Sequence, residues 1–437
     1  MSKETKSKIK KTVIDITAVF FFPIFYSISV TLALIARARS ANEFSKSRLV
    51  WGPIPIINNK YWSNAMRESG WISQTFTNSY YSTINQRSDF DEILPEKYKG
   101  LPYKIKGLIA FWETLFRFDV FFISFRGWLL GQTPYWRVEA HLLKLANKRI
   151  VAIPYGSDAF VYRKIKSLPL LHGLMMSYPA ASRMQDEVEK RLHYWCRHAD
   201  VVNPGMMGPD GFGRWDVLRP SSLTIDTKTW VPSTRQSDAD GLTGTVYVAH
   251  APNHRGFKGS EFVMDAIKRL QDEGLKVELV LIEKVQNEEV RRLFHSEVDI
   301  LVEQLIATGH GINAIEGMAC GLPVMSNLED DTYTTIFRRW SFLDECPIVS
   351  ASPETLINQL RKLIMRPKLR KQLGSASRQY VEKYHSYESA KHLFSNVLKY
   401  VYNDIDSLIN LYHPLLGEYP RQQPFVKPPL VKNKILD

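Results

Sequence analysis

The residues best suited to do chemistry lie in the segment IATGHGINAIEGMACGLPV at 306–324. Gly309 and Gly311 lead directly into a helical pattern, so the unpaired backbone N–H groups around His310, Gly311, Ile312 and Asn313 form an anion site at the positive end of a helix. Glu316 falls about one turn further in, where a carboxylate can accept from both hydroxyls of a ribose, and small Gly317 and Ala319 let the helix approach a sheet. An ordinary βα turn with a solvated glutamate uses the same residue types. A second segment, HAPNHRGFKGSEF at 250–262, sets Arg255 and Lys258 beside Gly256 and Gly259. A guanidinium can fork two oxygens of a diphosphate, an ammonium adds a point charge, and glycine lets the backbone come close. An exposed basic loop is the alternative. Both segments follow apolar strand patterns, TVYVAHA (245–251) and VDILVEQ (298–304). Open α/β sheets bind ligands beyond the carboxyl ends of their strands, so the two loops are expected to form one nucleotide-diphosphate site.

The elements that must position this site alternate. After strand 245–251 come helix SEFVMDAIKRLQDEG (260–274), strand KVELVLIE (276–283), helix NEEVRRLFHS (287–296), strand 298–304, helix NAIEGMACG (313–321) and strand LPVMSN (322–327), with helices from 353 to 402 completing a Rossmann-like sheet. The first half opens with strand RLVWG (48–52) and a helix over 61–70. Buried-strand patterns follow at DVFFISF (119–125), RIVAIPYG (149–156) and HADVVNP (198–204), with a helix at 184–197. Residues 83–104 read as polar and turn-rich, and 219–233 as a linker. The expected division is a membrane-associated segment at 1–45, an N-terminal Rossmann-like acceptor domain at 46–220, a linker at 221–243, a C-terminal nucleotide-sugar domain at 244–402, and a proline-rich tail at 403–437, either an extended strap or disordered.

Length and composition agree with two folded domains: 437 residues exceed one ordinary core, and 44% apolar with 23% charged residues is a globular balance. The net charge of +12 is concentrated at the start, where the first fifty residues hold nine Lys or Arg against Glu4, Asp15 and Glu43. Between the lysines at 3–11 and Arg37 and Arg39 runs the apolar stretch Thr12–Ala36, which is long enough to span a bilayer and, with Asp15 and Pro23 inside it, also suits a helix lying on an anionic membrane surface. A cleavable secretory signal fits less well, because arginines crowd the only small-residue site. The basic residues form no helix-turn-helix, finger or RNA-binding pattern, so nucleic acid is not expected as a partner. Cys196, Cys320 and Cys346 are isolated from one another, which argues for a reducing compartment and against a metal site. The acidic pairs Asp89/Asp91 and Asp238/Asp240 sit in polar loops and read as solvated turns.

The C-terminal half resembles glycosyltransferase family 4. The resemblance rests on Arg255, Lys258 and Gly259, on the E-x-M-A-x-G-x-P-V run from Glu316 to Val324, and on the closing helix at 378–402. It implies the α/β GT-B fold, two Rossmann-like domains facing a cleft, and retaining transfer of a sugar from a nucleoside-diphosphate donor, UDP- or GDP-linked, without a cofactor or metal. Arg255 and Lys258 would hold the diphosphate and Glu316 the ribose. Two departures stand out. Where the family has a second glutamate that meets the donor sugar, this chain has Thr308; VEQL at 302–305 resembles an Asp-Gln-Leu variant, so Glu303 or His310 is the expected substitute. In IPYGSDAF (153–160), Tyr155 replaces the histidine of an H-G-S-D pattern and Asp158 remains a candidate for sugar or acceptor contact, with a turn-capping role as the alternative. The apolar N-terminus points to a lipid-linked or membrane-proximal glycan acceptor at the cytoplasmic face of the inner or plasma membrane. A silent GT-B docking subunit and a nucleotide-sugar epimerase are the rival readings.

Overall fold

The computed structural model describes residues 3–82, 84–205, 209–217, 222–235, 237–339, 342–411 and 413–436, with the backbone alone before Val19 and at Lys104 and Pro209. The side chains of the lysine cluster and of Asp15, and the linker residues at 221 and 236, lie outside the described residues.

Helix α1 (Lys3–Arg37) precedes the first domain, whose strands are β1 (Arg48–Gly52), β2 (Ile72–Thr77), β3 (Glu92–Ile93), β4 (Val120–Ile123), β5 (Arg149–Ala152) and β6 (Val201–Val202). Its helices are α2 (Ile57–Glu68), α3 (Leu94–Lys97), α4 (Tyr103–Arg117), α5 (Glu139–Leu145), α6 (Leu168–Ser177) and α7 (Gln185–His198). The six strands pair in parallel in the order β3-β2-β1-β4-β5-β6, the doubly wound arrangement. Strand β2 escapes the sequence pattern because ISQTFT is half polar, yet its polar side chains find partners: Ser73 accepts from the Trp51 indole at 2.8 Å, and the Thr75 hydroxyl meets Asp91 at 2.9 Å. Asp89, expected in a solvated turn, pairs with Lys60 at 2.7 Å.

The second domain holds β7 (Val246–His250), β8 (Val277–Leu281), β9 (Ile300–Val302), β10 (Val324–Ser326) and β11 (Val349–Ser350), parallel in the order β11-β10-β9-β7-β8. Around it lie α8 (Arg255–Lys258), α9 (Ser260–Asp272), α10 (Asn287–Ser296), α11 (Ile312–Ala319), α12 (Asp331–Arg339), α13 (Leu356–Met365), α14 (Pro367–Tyr384) and α15 (Tyr387–Val401), with the single turn α16 (Tyr419–Gln422) in the tail. The architecture is the expected one, two Rossmann-like domains of the GT-B type.

Helix α15, expected within the second domain, instead crosses to the first sheet. Phe394 packs edge-on to Trp51 and Phe122 with ring centroids 4.8 and 5.4 Å apart, so the chain's end closes one face of the first domain's core. The described residues of the tail pack as a strap. Buried Glu345 ties it by accepting from Val426 N at 2.7 Å, and the Asn433 amide donates to the carbonyls of Cys346 and Ile348 at 2.8 and 3.0 Å.

Candidate functional site

The loops after β7 and β9 carry the site, as parallel strand ends dictate. The first is not an open loop. Residues 255–258 form the helical turn α8, and Gly259, at φ +75°, supplies the left-handed residue that lets the chain turn straight into α9. His250 at the end of β7 braces this turn, with one ring nitrogen 2.8 Å from Val302 O and the other 2.8 Å from Ser260 Oγ.

That turn aims Lys258 inward. Its ammonium is buried, donates to Gln304 Oε1 at 3.0 Å and forms an ion pair with Glu303. The other oxygen of Glu303 accepts from Ser326 Oγ at 3.2 Å, and Gln304 donates to Ala307 O at 3.0 Å, so the pair is bonded into the floor of the β9–α11 loop. Gly311 caps α11 directly above it: a Cβ there would stand 3.3 Å from Glu303 Oε1 and 3.8 Å from Lys258 Nζ. The helix N-terminus and a buried ammonium thus face the same space.

Around this space three buried polar atoms have no partner: Thr308 Oγ1, His310 Nδ1 and Asn313 Oδ1. An unpaired buried polar atom costs about 1–3 kcal/mol, so any polar group that bonds these three would recover that cost. Burial holds the His310 imidazole below its usual range, which favours the neutral ring.

Glu316 is buried on α11 and accepts from Asn287 Nδ2 at 2.8 Å and Asn313 Nδ2 at 3.4 Å. Desolvation pushes its carboxyl up to about 7. Gly317 is needed beside it, because a Cβ would lie 2.5 Å from Leu301 Cδ2. Asn287 and Tyr61 of the first domain, whose phenol is raised by burial and then by the Glu316 charge, join this part of the site without any motif to announce them.

The other expected residues are placed differently. Arg255 points outward and forks Glu283 at 2.8 and 2.7 Å. Asp158 is buried in its own domain's turn, accepting from Phe125 N at 2.9 Å and from Tyr155 N and Gly156 N at 3.0 Å, and burial raises it to about 6. Both of its oxygens are thereby committed to shaping the strand-end loop. Sequence reasoning missed α6, which docks onto the cation turn from across the cleft. Ser177 Oγ accepts from Phe257 N at 2.7 Å, and a Cβ on Gly173 would stand 3.0 Å from Ala307 Cβ.

The β9–α11 loop and Glu316 fall in a segment that is shared with known proteins, and Arg255 and Lys258 lie just before it. Residues 259–380 match the family model described as glycosyl transferases group 1. The chain is a glycosyltransferase. No curated protein matches it by sequence. Solved structures similar to this glycosyltransferase include Anabaena HepE in complex with UDP and glucose, at 13% identity, covering 81% of this chain and 99% of that one with a TM-score of 0.47. A Rickettsia africae glycosyltransferase is similar at 12% identity over 82% and 100% of the two chains, TM-score 0.45. WaaG, described as a glycosyltransferase involved in lipopolysaccharide biosynthesis, is similar at 13% over 81% and 99%, TM-score 0.41.

Proposed function

We propose that the chain is a retaining glycosyltransferase of the family 4 kind, moving a sugar from a UDP- or GDP-linked donor to a lipid-linked glycan at the cytoplasmic face of the membrane. One observation carries the donor assignment: buried Lys258, with its partner Glu303, lies beneath the N-terminus of α11, where Gly311 presents no side chain. A diphosphate bound there receives an ammonium and free backbone N–H groups together, and Glu316 lies one turn along the same helix for the ribose.

The reaction breaks the bond from the sugar's anomeric carbon to the diphosphate and forms one to the acceptor oxygen. Negative charge grows on the departing diphosphate, where Lys258 and the helix N-terminus are already oriented, and preorganised charge of this kind lowers the barrier without a protein nucleophile. The acceptor hydroxyl must lose its proton as the new bond forms, and the departing phosphate oxygen is a base the reaction itself delivers. Thr308 Oγ1, His310 Nδ1 and Glu303 are the groups at hand for the sugar hydroxyls.

A second reading, a docking module without turnover, is favoured by one observation: both loop cations are already neutralised, Lys258 by Glu303 and Arg255 by Glu283. Thermal melts with UDP, GDP and their sugar conjugates test the first reading, since a ligand of the native state raises the midpoint. Stabilisation together with release of nucleoside diphosphate in the presence of a polyprenyl-linked acceptor is expected. Stabilisation without release would leave the docking module, and no stabilisation at millimolar concentration would remove the donor site.

A further inference from the structure

Residues Val19–Arg37 make, among the described residues, the one helix long and apolar enough to cross a membrane. Its surface is divided lengthwise. Phe25, Ala33 and Ala36 are buried in the core of the first domain, Ser29 Oγ accepts from the Trp112 indole at 2.9 Å, and the Phe25 ring stacks on Tyr135 at 4.3 Å. The opposite stripe, Phe20, Phe21, Ile24, Ile28, Leu34 and Ile35, is exposed, Phe20 to 77% and Ile24 to 59%.

We propose that α1 lies in the plane of an anionic bilayer instead of crossing it, with its inner stripe docked on the first domain and its outer stripe in the acyl region. This deepens the membrane part of the proposed function and rests on it. The length decides against a span. Among the described side chains, which begin at Val19, packing on the domain begins at Phe22, and Thr12–Phe21 of the apolar run Thr12–Ala36 precedes that point. That is about ten residues and roughly 15 Å of helix, half of the ~30 Å hydrocarbon core. Pushing the docked part into the bilayer would drag in the ionic groups beside it, among them Arg117 with Glu113 on α4 and Lys144 of α5 with Asp200. An interfacial helix avoids both costs. The charge pattern suits it as well, since lysines at 3–11 and exposed Arg37 and Arg39 bracket the apolar stripe and match anionic headgroups. Helix α4, packed beside α1, adds exposed Tyr103 and Ile105.

Two measurements on the full chain test this. Single cysteines are placed at Lys3→Cys and, on the catalytic domain, Lys268→Cys; the three native cysteines are buried. An impermeant maleimide applied to sealed membrane vesicles of each orientation is expected to reach both positions from the same side. Reaction from opposite sides would establish a span and overturn the proposal. In the second, the triple variant Phe20→Ser, Ile24→Ser, Ile28→Ser is floated with vesicles of phosphatidylglycerol in phosphatidylcholine. Recovery is expected to fall roughly tenfold or more, with an unchanged thermal midpoint because the stripe is exposed. Equal flotation of variant and wild type overturns the proposal, as does a wild type that floats with no vesicle or one whose stripe instead holds a lipid-free dimer that the variant breaks. Donor binding survives any of these failures, so they remain distinguishable from failure of the nucleotide site.

Discussion

Lys258 and Glu303 form a buried ion pair beneath the N-terminus of α11, while Arg255, three residues earlier, forms its pair with Glu283 at the surface. The two cations that the sequence presents as equivalents therefore have different energetics.

Removing one partner of a buried pair leaves the other charge stranded. Lys258→Ala is expected to cost about 3–5 kcal/mol of stability as well as nucleotide affinity. Arg255→Ala, whose pair with Glu283 is at the surface, should leave both stability and diphosphate affinity nearly unchanged. Urea titration and calorimetric binding of the same two variants check this, and equal stability losses would contradict the assignment of Lys258 as the buried member.

Gly311→Ala tests the approach of the diphosphate directly. The residue has φ −102°, so alanine is unstrained, and the added methyl would stand between α11 and the ion pair. Nucleotide affinity is expected to fall about tenfold or more while the unfolding midpoint stays put. Undiminished affinity would move the ligand elsewhere.

Glu316 should give stability a pH dependence of definite sign. Its folded value of about 7 lies above the ordinary 4.5, so the folded state prefers the protonated acid. Its contribution is therefore complete below pH 4.5 and is lost as pH rises through about 7, up to about 3 kcal/mol. Glu316→Gln is expected to flatten the stability profile between pH 5 and 8, roughly the carboxyl's titration range. Chemical denaturation of both proteins across that range decides it, a profile identical to wild type being the contrary result.

Under the proposed function, Thr308 and Glu303 are the two candidates for the sugar contact. Thr308→Ala deletes a buried hydroxyl that has no partner, so stability is expected to hold or rise slightly. Turnover should drop little, whereas Glu303→Ala and Glu316→Ala should each impair it. Steady-state release of nucleoside diphosphate is the assay. Transfer abolished in Thr308→Ala and intact in Glu303→Ala would assign the sugar to the threonine hydroxyl.

Particular residues show how far the sequence reaches. Strands β7 to β10 and their helices were legible because buried parallel strands are continuous apolar runs, and glycines at 259, 309 and 311 mark the loops that must turn tightly or come close. Those loops carry the cations and lead into the helix of Glu316, so their shared strand ends placed the two segments side by side from local pattern alone. What local pattern could not supply is orientation and distance between segments. It did not separate outward Arg255 from inward Lys258, since both share one short motif and only packing of the α8 turn against the β9–α11 loop distinguishes them. Nor did it reveal Asn287 and Tyr61 beside Glu316, α6 across the cleft, or α15 on the first sheet, because these meetings join residues far apart in the chain. For α1 the sequence determined apolarity and flanking charge. Only the tertiary structure decided that one stripe is already taken by the protein, because burial is a property of what a surface packs against and not of the residue types that make it.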